Sequence, residues 1–244
     1  MGLAAISVIV MFSLMQILLV ASMTTRIAGK LSNKPSLGTS MQQTIIVGSS
    51  VFLIIILPVL ALLIESRISE ANYLKVVIFS HLLSFLGSLL IFVNLNFVQR
   101  FFQKIFNFYD IHHRVPEAIF WSFFRKDNVV EINLKHRFKF KKIIYKKFLL
   151  SLFSYALLAN GFFLAFLLAM KYSEYRLTIS QFNTAFQGIG AFMIAFYIEP
   201  MLSRSIDKLD EPSWTNNTYS VILGRVFGFF LSVFLYLIYL LINV

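Results

Sequence analysis

The chain has 244 residues, 58% of them hydrophobic, with a mean hydropathy of +0.77. Charged residues make up 14%, against about a quarter in an ordinary soluble domain, which excludes a water-facing globule and places the chain in the membrane class. No cysteine is present, so disulfides, zinc ribbons and thiol catalysis are excluded. The net charge of +11 lies beside apolar stretches, where it reports orientation and contact with anionic lipid.

Six stretches are long enough for a helix to cross a hydrocarbon core of roughly 30 Å. The fold class expected is therefore all-α, a polytopic membrane protein with six transmembrane helices. The first span, Gly2–Met23, reads as retained: its amino end carries no lysine or arginine, and its apolar run is longer than a signal core. It leads into "TTRIAGKLSNKPSLG", with Arg26, Lys30 and Lys34. The second span, Thr44–Ile64, holds Pro58 near its far end, where a kink is tolerated if neighbours satisfy the freed carbonyl.

The third span, Tyr73–Phe97, contains His81, the one titratable group well inside a span. It reads either as a neutral imidazole bonded to a neighbouring helix or as a proton-coupling group. Asn94, Asn96, Asn160, Asn183 and Gln187, with Ser84, Ser88, Gly87, Gly188 and Gly190, read either as interhelical packing or as the lining of a wet passage.

A long basic amphipathic loop, 98–147, separates a first three-helix half (1–97) from a second (148–244). In "FVQRFFQKIFNFY", Phe97, Phe101, Ile105 and Phe108 share one helical stripe, as in a helix lying in the membrane interface and continuing from the third span. "PEAIFWSFFRK" has Pro116 and Glu117 at its start and Arg125 and Lys126 at its end, which predicts a second short helix. "KHRFKFKKIIYKK" then interleaves cations with aromatics. Tethered between spans and without a recognition fold, the loop reads as an anchor on anionic membrane lipids, not as a nucleic-acid site. His112 and His113 point to different faces of a helix and have no carboxylate at ligand spacing, so no metal site is expected.

The remaining spans are Phe148–Met170, Ser180–Glu199 and Ser220–Val244. Lysines and arginines number three in the first loop, twelve in the third and two in the fifth. The second (counting Lys75 at its edge) and the fourth hold two each. The positive-inside rule then puts loops one, three and five in the cytoplasm and both termini outside a multi-pass protein of the cell membrane. "NNT" at 216–218 matches a glycosylation pattern by chance, since it falls on the cytoplasmic side.

This orientation brings Arg26, which closes the first span, Glu199, which closes the fifth, and Arg225, in the first turns of the sixth, to one membrane face. Asp207 and Lys30 lie nearby. Arginines at one depth can form a fork for phosphate, or can snorkel with Glu199 pairing one of them. No Walker A pattern is present, since "AGK" at 28–30 lacks the upstream glycine, and no nucleophile or metal set is assembled. The chain reads as a non-enzyme without cofactors.

"TTRIAGK" after the first span, "FNTAFQGIGAFMIAFYIEPMLS…ID" through the fifth and "GRVFG" in the sixth resemble, in the same order, the motifs of the alternate lipid II flippases (Amj) of Gram-positive bacteria. That family usually has Asp at the position of Glu199, and an arginine in the second span where this chain reads "VGSSVFL". The resemblance implies translocation of undecaprenyl-diphosphate-linked disaccharide-pentapeptide from the inner to the outer leaflet for cell-wall synthesis. The charged groups gathered at the cytoplasmic face, Arg26, Glu199, Arg225, Asp207 and Lys30, are the expected substrate contacts. A flippase for another polyprenyl-linked glycan and a non-catalytic subunit of a cell-envelope complex are the alternative readings.

Overall fold

The computed structural model describes residues 2–124, 143–207 and 211–243. Among these residues all regular structure is helical: α1 (Leu3–Leu31), α2 (Pro35–Glu65), α3 (Glu70–Val93), α4 (Leu95–His112), α5 (Val115–Phe124), α6 (Tyr145–Lys171), α7 (Arg176–Met193), α8 (Glu199–Asp207) and α9 (Glu211–Asn243). Six helical stretches are long and apolar enough to cross a membrane: α1, α2, α3, α6, the α7–α8 run and the Trp214–Asn243 part of α9. This is the architecture of a multi-pass membrane protein. The segment 135–142, with Arg125 and Lys126, lies outside the described residues.

Several helices overrun the spans expected from hydropathy. α1 continues to Leu31, eight residues past Met23, so Arg26 and Lys30 ride on the helix and not on a loop. α2 starts at Pro35, nine residues before Thr44, because proline is preorganised for a first helical position. Only Ser32, Asn33 and Lys34 turn the chain. Asn33 takes a left-handed φ of 56°, which asparagine tolerates, and Lys34 N–H bonds Gly29 O at 2.7 Å.

α3 does not run on into the interfacial helix. Its C-cap Asn94 donates from both N–H and Nδ2 to Leu90 O, at 3.0 and 2.9 Å, and α4 starts anew at Leu95. The buried face of α4 keeps Ile105 and Phe108 of the expected stripe and adds Val98, Phe102 and Phe106, whereas Phe97 is exposed. α4 and α5 form a small cluster of their own against α1 and α2, tied by Lys104 Nζ to Ser122 O at 2.6 Å and by a Lys34–Asp110 ion pair.

The packing repeats between the halves. α1 packs on α2 and α3, and α6 packs on α7 and α9 in the same way. α3 lies along α9 and joins the halves, while α1 and α6 do not pack along one another. Small residues set the close approaches. Ser13 donates to Ser80 O at 3.1 Å between α1 and α3, and Ser151 donates to Val221 O at 2.6 Å between α6 and α9.

Candidate functional site

The sequence draws Arg26, Glu199 and Arg225 together, and the structure unites two of them. Arg26 is buried, 2% exposed, and its Nη2 forms an ion pair with Glu199. Its Nε donates to Oε1 of Gln42, so α1, α2 and α8 meet at one guanidinium. Its Nη1 is buried without a hydrogen-bond partner.

A break in helical regularity aims Glu199. Residues Ile194–Ile198 form a π-helical turn, in which Glu199 N–H reaches back to Ile194 O. Pro200 supplies the reason. It has no N–H to give Phe196 O, and its ring crowds that carbonyl in a regular helix. Wider π spacing relieves the crowding, and such turns recur at functional sites.

Arg225 sits elsewhere. Because α9 begins at Glu211 and not at Ser220, Arg225 is fourteen residues past that start, not in the first turns of the helix. Its Nη2 donates to Gln16 Oε1 at 3.1 Å, and its guanidinium carbon lies 4.4 Å from the Tyr155 ring centroid. Gln16 stands ten residues before Arg26 on α1, about 15 Å along the helix axis. The two arginines are therefore staggered along the bundle. Tyr155 links them, within electrostatic reach of Arg225, Glu199 and Arg26. Arg225 is 5% exposed, its Nε has no partner, and among the described residues no carboxylate pairs with it.

The other expected residues fall as follows. Lys30 lies over the Trp214 ring, 4.6 Å from its centroid, and so ties α1 to α9. Asp207 ends α8, and its side chain lies outside what the structure describes. His81 is wholly buried among Phe12, Phe163, Phe229 and Tyr236, with Nδ1 2.9 Å from Val77 O and Nε2 unpartnered. Asn160 bonds Ser232 Oγ at 2.6 Å between α6 and α9, and Gln187 bonds Asn183 at 2.6 Å within α7.

Sequence reasoning missed Gln16, Gln42 and Tyr155. Gln16 had a readable signal, a lone amide in the apolar run "MFSLMQILLV". Tyr155 had none, since a tyrosine in an apolar span looks like core.

Fold and site together define a multi-pass membrane protein, all-helical among the described residues, with a buried cationic seam running inward from one end. Compared with models of known families, with curated proteins and with solved structures, the chain matches none.

Proposed function

We propose that the protein is a flippase for a polyprenyl-diphosphate-linked glycan, lipid II on the strength of the sequence resemblance. In this reading it moves the headgroup from the inner to the outer leaflet of the cell membrane. One observation carries the reading: Arg225 is a buried guanidinium with an unpartnered Nε and no carboxylate on it among the described residues. An unpaired charge so placed costs several kcal/mol, and charges inside membrane segments mark substrate or ion pathways. A diphosphate passing Arg225 relieves that cost.

The positive-inside rule sets the Arg26 end of the bundle in the cytoplasm. The lipid tail stays in the bilayer while the diphosphate meets Arg26 first and Arg225 about 15 Å further on. The halves, of opposite topology, rock about the α3–α9 contact to provide alternating access. No bond is made or broken. A membrane potential of 100 mV, negative inside, drives each negative charge outward by about 2.3 kcal/mol, so ATP is not required.

The test is transport of a labelled polyprenyl-diphosphate glycan in vesicles bearing Arg26→Ala, Arg225→Ala or both. Each single change is expected to cut flux by about tenfold or more, the loss of a charge-assisted bond worth roughly 1.5–3 kcal/mol. Undiminished flux in the double variant would overturn the reading.

A further inference from the structure

We infer that Glu199 is the resting counter-ion of Arg26, that the phosphate of the cargo displaces it, and that this displacement opens a latch between the two three-helix halves. The identity of the displacing anion rests on the proposed function; the latch itself rests on geometry.

The ion pair crosses between halves. Arg26 and Gln42 belong to α1 and α2, and Glu199 belongs to the α7–α8 run. The most extensive packing between the halves is α3 along α9, with smaller contacts of α1 on α9 and α2 on α6, whereas the pair at Arg26 reaches the first residue of α8. The halves also meet through Lys30 on Trp214 and Gln16 on Arg225, but the Arg26–Glu199 contact between α1 and α8 is made by opposite charges. A charge pair is the element an anion can exchange with. Apolar packing is not.

Access runs through Glu199. Its side chain is 27% exposed while that of Arg26 is 2%, so the carboxylate covers the guanidinium from the reachable side. The pairing is also incomplete. Gln42 takes Nε and Glu199 takes Nη2, but Nη1 stays buried without a partner. The two phosphates of a diphosphate together bring more acceptor oxygens than a carboxylate and can reach both prongs of the fork. The exchange therefore gains a hydrogen bond that the resting state lacks. Released, Glu199 frees α8 from α1 and α2, and the seam toward Tyr155 and Arg225 opens behind it.

A chain without cysteine suits a distance measurement. Spin labels on Ser40→Cys in α2 and Ser203→Cys in α8, both exposed, report the separation across the latch in lipid nanodiscs. Glu199→Gln should shift the distances to longer values without ligand, and polyprenyl diphosphate should shift the native pair in the same direction. The reversed pair, Arg26→Glu with Glu199→Arg, should return the short distance. Glu199→Gln should also bind polyprenyl diphosphate about tenfold more tightly, since competition worth about 1.4 kcal/mol is gone.

An unchanged distance in Glu199→Gln overturns the latch. An opening in Glu199→Gln that polyprenyl diphosphate cannot reproduce overturns the displacement. Inorganic pyrophosphate separates two supporting results: opening by it assigns recognition to the anion alone, and opening by the lipid form alone assigns it to a membrane-anchored anion. Flux is read separately. Robust transport with an immobile latch sinks this inference and leaves the proposed function standing, whereas a working latch without transport does the reverse.

Discussion

Arg225 and Gln16, 209 positions apart in sequence, meet inside the bundle through one hydrogen bond of 3.1 Å. The pair separates what the site costs from what it does. Gln16→Leu takes away an acceptor and leaves a buried cation less satisfied, a loss of about 1–3 kcal/mol. Replacing both partners together, Gln16→Leu with Arg225→Met, removes the charge along with its need and should be nearly neutral for stability. Thermal melting in detergent should therefore show the double variant more stable than Gln16→Leu alone. Flux should show the opposite order, because the double variant has lost its cation. A double variant that is the less stable of the two would make Arg225 a structural anchor.

The turn between α1 and α2 brings Gly29 and Gly38 face to face. A Cβ added at Gly29 would lie 2.8 Å from Gly38 Cα and 2.8 Å from Lys34 O, and one at Gly38 would lie 2.6 Å from Thr25 O. These neighbours are backbone and cannot swing aside. Gly29→Ala or Gly38→Ala must push α1 and α2 apart next to Arg26 and Gln42, at a cost of about 1–3 kcal/mol for an overpacked contact. Gly48→Ala, further along α2, meets nothing within 4 Å and should melt at or above the native temperature, since Ala is favoured over Gly in a helix interior by about 1 kcal/mol. Equal melting of all three variants would refute the close crossing.

How much of this was readable beforehand follows from the physics of each signal. Hydropathy located the six apolar cores, because bilayer thickness demands long uncharged runs. Hydropathy could not find the helix ends, because helices continue through polar residues as readily as through apolar ones. Thus Arg26 and Lys30 belong to α1, and the fifteen residues from Glu211 to Arg225 are helical throughout. The meeting of Arg26 with Glu199 was legible as two charges at span ends of one predicted face. The stagger of Arg225 was not, since it depends on where α9 starts. The π turn and the roles of Gln42 and Tyr155 are set by contacts between helices distant in sequence, which no local pattern records.

Pro200 yields a test of the site that touches no charge. In Ile194–Ile198 the π turn inserts one residue relative to an α-helix, and each residue turns the chain by about 100°. That turn directs Glu199 toward Arg26. Pro200→Ala restores the N–H that can bond Phe196 O and removes the ring that crowds it, so the segment is free to relax into regular α-helix. Glu199 then rotates away from Arg26 with its charge intact. The variant is expected to melt near the native temperature, since the preference for Ala over Pro in a helix interior, about 3 kcal/mol, offsets the cost of leaving buried Arg26 unpaired. It should nevertheless show the lengthened Ser40–Ser203 distances of Glu199→Gln. A Pro200→Ala protein that keeps the native short distance would mean that the latch depends on the Glu199 charge alone, and that the π turn is incidental to it.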